Sequence, residues 1–146
     1  MDGAGTKGAK AMLGERIGEN KGKVTARRVI AGADGNHRFE VTAEAQGRIY
    51  GVDCTETVTY LAEKRADGTL YGEGQGILMT REGESAQLCG TGVGRFTGRG
   101  QAVRWVGSLY YKSEDKKLAR LCAQPVLFEH EVDENGNFET KYFEWK

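Results

Sequence analysis

Between Asp67 and Lys112 the chain carries two trios of glycine at alternate positions, Gly72-Gly74-Gly76 and Gly90-Gly92-Gly94. Successive side chains of a β-strand point to opposite faces, so each trio strips one face of a strand bare. Interior glycine weakens a strand and marks a sharp bend or a close approach of another backbone. Bends of that kind let a sheet coil tightly enough to close on itself. The other face of the first run carries Tyr71, Glu73, Gln75, Ile77 and Met79, polar at one end and apolar at the other.

Glycine-rich runs also cradle phosphates, and that reading fails on spacing. A dinucleotide fingerprint needs G-x-G-x-x-G between a strand and a helix. Gly92-Val93-Gly94-Arg95-Phe96-Thr97 has threonine in place of the third glycine, and Gln101 to Lys112 continues as a strand pattern. No Gly-Lys-Ser/Thr completes a phosphate loop either. The glycines are structural.

The chain of 146 residues is long enough for one domain with a core of its own. Its 21 Lys+Arg balance 21 Asp+Glu, so no global field attracts nucleic acid or an anionic membrane. Arg95-Phe96 and Arg104-Trp105 interleave basic and aromatic residues as single-strand binders do, but the neutral balance weighs against that partner. The 22 glycines are roughly twice the usual share while proline occurs once, which favours a bent sheet over a disordered chain. No apolar run approaches the ~20 residues of a membrane-spanning helix, and no signal-peptide pattern opens the sequence. Cys54, Cys89 and Cys122 are an odd set without paired spacing, read as reduced thiols; a cytoplasmic location is expected.

In chain order, residues 1–21 read as a flexible segment with a short helix over Ala9–Ile17, and residues 22–146 as the folded domain. Lys23 to Ala31 alternates, and Gly32 to Asn36 is a turn cluster. Arg38 to Gln46 alternates cleanly, with Phe39, Val41, Ala43 and Ala45 on one side. Arg48 to Lys64 reads as one run bent at Gly51, and from Val52 it sets Cys54, Glu56, Val58, Tyr60 and Ala62 on one face. Turns at Asp67-Gly68 and Glu82-Gly83-Glu84 flank the first glycine run. Ser85 to Val93, Gln101 to Lys112, Leu118 to Val132 and Phe138 to Trp145 complete eight strands, the last two joined by Asn135-Gly136. Eight consecutive strands with short loops predict an all-β, antiparallel up-and-down barrel whose lumen holds side chains or one small ligand.

Gly90-Thr91-Gly92-Val93-Gly94-Arg95-Phe96-Thr97-Gly98-Arg99-Gly100 resembles a late-strand motif of the allene oxide cyclase barrel superfamily, which includes the dirigent proteins. The segment is two residues longer than the family pattern and lacks its following acidic and aromatic residues, so no catalytic residue is carried over. The ending, Phe128 to Asn137 followed by Phe143-Glu144-Trp145-Lys146, is similar to a group of small uncharacterised microbial proteins. The resemblance covers about Gly22 to Lys146. It implies a calycin-like eight-stranded barrel that assembles as a homo-oligomer.

Chemistry inside such a lumen rests on a group tuned by burial. Glu56 is a carboxylate in register with an apolar face, and Glu73 shares a face with Tyr71, Ile77 and Met79; these two are the candidate acid/base residues. If both face inward they are near neighbours across a hairpin, and the plainer alternative is an ion pair with Arg28 or Arg104. Tyr60, Tyr71, Gln75, Trp105 and Tyr111 are candidates to line a small-molecule site, or simply to fill the barrel. His37 borders a turn and His130 reads as a rim residue; neither has a cysteine or histidine at ligand spacing, so no metal site is expected. No cofactor is implied. The expected function is binding of a small, largely apolar molecule, with a cyclase- or isomerase-type enzyme and a scaffold with a filled core as alternatives.

Overall fold

The computed structural model describes residues 13–145. Eight antiparallel strands follow one another around a closed barrel, each paired with its neighbours in sequence. They are β1 (Leu13–Ala31), β2 (His37–Ile49), β3 (Val52–Lys64), β4 (Leu70–Thr80), β5 (Ser85–Phe96), β6 (Val103–Lys112), β7 (Val126–Val132) and β8 (Asn137–Trp145). Pairing of β1 with β8 closes the cylinder and removes every open edge.

Three local expectations are corrected. The helix expected over Ala9–Ile17 does not form from Leu13 onward, where the chain is already strand; Ala9 to Met12 lie outside the described residues. Gly14, Gly18 and Gly22 of β1 lie where a neighbouring carbonyl or side chain occupies the space of a Cβ. The run from Arg48 to Lys64 is two strands joined by a tight hairpin at Tyr50-Gly51, both at positive φ (51° and 74°), the turn geometry that matches strand twist. Finally, Leu118 does not begin a strand. Lys116–Leu118 is a 3-10 turn leading into α1 (Ala119–Cys122), and Pro125 stands just before β7, where a residue without an N–H interrupts no ladder.

That helical insert closes one end of the barrel. Leu118 and Leu121 are 6% and 2% exposed. They pack with Ile17, Ile49, Leu78, Leu88, Val126 and Tyr142 in a cluster to which all eight strands contribute. The other half of the lumen is filled by two smaller groups, one around Ala43, Ala45, Val132 and Phe138, the other around Ala62, Leu70, Val103 and Trp105.

The glycine trios face inward. Gly72 pairs with Gly92 and Gly74 with Gly90 across β4 and β5, and the Trp105 ring lies over this bare wall. A Cβ at Gly94 would stand 2.8 Å from the indole, and one at Gly72 would stand 3.0 Å away. The glycines therefore make room for the aromatic residues that β3, β6 and β7 send into the lumen.

Candidate functional site

A chamber of about 110 Å³ occupies the middle of the barrel. Its wall is mostly apolar, from Ala43, Ala45, Val58, Leu88, Leu109, Phe128 and Phe138, with the glycines of β4 and β5. Beyond it lies a second space of about 50 Å³, reached by Arg27, Phe39, Phe96 and Gln101. Tyr60 and Trp105 border both spaces. Their rings meet edge to face at 5.6 Å and form the partition between them.

Toward the end closed by α1, the chamber is polar. Glu56 is 5% exposed because the alternation of β3 turns it inward with Cys54 and Ala62. Tyr111 donates its hydroxyl to Glu56 Oε2 at 2.6 Å and Tyr142 donates to Oε1 at 2.6 Å. Asn20 Nδ2 donates to the Tyr142 oxygen at 2.7 Å and reaches Glu56 Oε1 at 3.4 Å. Burial pushes the Glu56 carboxyl above the ordinary carboxylate range, an effect opposed by the two tyrosine hydrogen bonds. Burial, with the Glu56 charge alongside, holds Tyr111 and Tyr142 well above their usual values. Both carboxyl oxygens are thus engaged, so Glu56 meets the chamber through partners that already hold it.

A second polar strip runs up the wall. Trp105, His130, Thr140 and Asn20 are register partners in turn across β6, β7, β8 and β1. His130 Nδ1 lies 2.7 Å from Thr140 Oγ1, and its ring stands 4.6 Å from Phe138. The imidazole keeps a face on the chamber but is enclosed by the wall, and burial lowers its pKa to about 4. It is neutral at physiological pH. His130 is a lumen residue, not the rim residue expected, because β7 sends Val126, Phe128, His130 and Val132 inward together.

Of the other sequence candidates, Tyr60, Trp105 and Tyr111 do face inward; burial raises the Tyr60 hydroxyl to about 12. Tyr71, Glu73 and Gln75 do not. Their side chains share the outer face of β4 with the exposed Ile77 and Met79. The Tyr71 hydroxyl donates to Glu73 at 2.9 Å on that surface. The inner face of β4 belongs to glycine, Leu70, Leu78 and Thr80, so Glu73 and Glu56 lie on opposite sides of the sheet and share no proton. Arg28 and Arg104 pair with Glu40 and Glu129 rather than with Glu56. Asn20, Thr140 and Tyr142 escaped the sequence reading, although Phe138, Thr140 and Tyr142 alternate with charged or outward residues in the ending strand. Among the described residues no cluster of three or more metal-ligating side chains occurs.

With this geometry in view, comparison with known proteins adds the fold. The sequence matches no protein-family model and no curated relative. A solved protein of unknown function from Clostridium acetobutylicum superposes with a TM-score of 0.75 at 10% identity, over 90% of this chain and 98% of its own. A conserved protein of unknown function from Rhodopseudomonas palustris gives 0.74 at 6% identity, over 89% of this chain and 95% of its own. The likeness is one of architecture.

Proposed function

We propose that the barrel binds one small, largely apolar molecule in its inner chamber. The observation that carries this is the chamber itself, an apolar enclosure with a few convergent polar groups at one end, the usual anatomy of a small-molecule site. Its volume limits the guest. An engineered cavity of about 150 Å³ holds benzene, so about 110 Å³ accommodates roughly one ring, or the head of a longer molecule whose tail passes between Tyr60 and Trp105. No lysine or arginine lines the chamber among the described residues, which disfavours an anionic group inside it.

The second reading is a cyclase- or isomerase-type enzyme in which Glu56 supplies acid/base chemistry. The raised pKa of Glu56 and the likeness of Gly90 to Gly100 to the allene oxide cyclase and dirigent motif favour it. The saturation of both Glu56 oxygens by tyrosines favours the binder. As in that superfamily, a homo-oligomer is part of the proposal. So is a cytoplasmic setting, consistent with three free cysteines.

Native mass spectrometry of freshly purified protein, followed by organic extraction, tests the reading. A retained molecule, or uptake of a single-ring compound with a change in tryptophan emission, supports it. A chamber that stays empty and takes up no single-ring compound overturns it and leaves a scaffold with a filled core.

A further inference from the structure

A basic side chain stands at the mouth of the barrel because β1 carries one residue too many. Asn20, Gly22 and Val24 face the lumen in alternation, opposite Gly47, Ala45 and Ala43. The register then slips between Val24 and Ala26, where β1 gains a residue over β2. Beyond this bulge Arg27 stands opposite Val41, a buried lumen residue, and Val29 stands opposite Phe39. Unbroken alternation from Val24 would leave Arg27 on the outer surface. Bulges re-aim side chains in this way and gather at barrel rims and beside functional sites.

The guanidinium is positioned but unpaired. It lies over the Phe39 ring at 4.6 Å, and such stacking leaves the donor edge of the fork open. Arg28, next in sequence, faces outward and pairs with Glu40 at 3.0 Å. Arg27 has no ion-pair partner among the described residues. Asp34, Asp67 and Asp133, in loops at the same end, each accept from the backbone of their own turn. Arg27 is the one charged side chain lining the outer space of about 50 Å³. Its charge reaches the partition below: burial raises the Tyr60 hydroxyl, and Arg27 opposes that rise.

Two spaces in line, an apolar one and one with a lone arginine, constrain the guest. An anion in the inner chamber would be desolvated without a basic partner, so a charged end belongs in the outer space. A carboxylate matches the arginine fork, which offers it two parallel hydrogen bonds. Val41 and Ala43, which border the outer and inner spaces, are about 7 Å apart along β2, a span that a link of about three carbons covers.

Resting on the binding reading above, we infer that the guest is a monocarboxylic acid, its apolar body of about one ring in the inner chamber and its carboxylate held at the mouth by Arg27.

Titration calorimetry on the full chain with terminally substituted phenylbutanoate, its neutral amide and toluene tests this. A partly exposed guanidinium–carboxylate pair gives an advantage of about threefold to tenfold. The acid should therefore bind that much more tightly than the amide at low salt, with the advantage shrinking in about 0.5 M sodium chloride. Arg27→Gln, a change at an exposed position, should bind acid and amide alike with the amide affinity unchanged. Arg28→Gln removes the same charge from the outer face and should keep the preference. Equal binding of acid and amide by the parent protein overturns the inference, as does a preference that survives Arg27→Gln or is lost equally in Arg28→Gln. Binding of the amide or toluene in those cases leaves the binding reading intact. Failure of all three compounds to bind overturns both.

Discussion

Replacing Glu56 by leucine puts the polar cluster to its most direct test. The substitution fills a comparable space but leaves the Tyr111 and Tyr142 hydroxyls without the acceptors they reach at 2.6 Å. All three side chains are 6% exposed or less. Each orphaned buried hydroxyl costs about 1–3 kcal/mol. Rotation of the Asn20 amide can return an acceptor to Tyr142, and the variant also escapes the cost of burying a carboxylate. The net loss expected is therefore about 2–4 kcal/mol, read by urea unfolding at pH 7 with tryptophan fluorescence. Adding Tyr111→Phe and Tyr142→Phe removes the orphans and should recover at least half of that loss. The reasoning fails if Glu56→Leu unfolds within about 0.5 kcal/mol of the parent, or if the triple variant is no more stable than the single one. Proton linkage gives an independent check with Glu56→Gln. A carboxyl whose pKa is raised in the folded state adds stability that is complete below its ordinary 4.5 and is lost as pH rises through the folded value. The parent should thus lose stability relative to the glutamine variant as pH climbs from 4.5.

His130 gives the opposite slope. Lowered from 6.5 to about 4, it withdraws up to about 3 kcal/mol as pH falls across that window, and His130→Asn should flatten the acid limb of a stability–pH curve. Gly94→Ala drives a Cβ against the Trp105 indole and is expected to cost about 1–3 kcal/mol in thermal or urea unfolding, with partial rescue by Trp105→Leu. A chromogenic disulfide reagent should label exposed Cys89 rapidly in the native protein. Cys54, 9% exposed with its thiol pushed up to about 12, should react only on unfolding.

The cylinder was legible because strands announce themselves by alternation and turns by glycine and asparagine, both local signals. Glu56 was legible for the same reason, as a carboxylate out of keeping with its own face. The inner face of β4 was misjudged because Tyr71, Ile77 and Met79 form the more apolar set along the strand. Side chains arriving from other strands, Tyr60 from β3, Trp105 from β6 and Phe128 from β7, explain why bare glycine takes the inside. Asn20 lay hidden in a segment of glycine and charge that resembles loop. Its environment comes from Tyr142 and Glu56, 122 and 36 residues away, and no local pattern encodes such distances. The helical turn leading into α1 reads as strand in the sequence because Leu118 and Leu121 are the apolar pair of a plug, too short to show a helical period.

The seam between β1 and β8 has a consequence for how the chain reaches this state. Seven of the eight strand pairings join sequence neighbours, while the eighth sets Leu13 beside Trp145. The largest single loop closure therefore falls on one late event, and hairpin assembly can proceed without it. Because the start of β1 and the end of β8 lie side by side, a circular permutant joining Trp145 to Leu13 by a short flexible peptide and opened in the exposed Arg81–Gly83 turn should rebuild the same cylinder. Its slow step would then pass from β1–β8 to β4–β5.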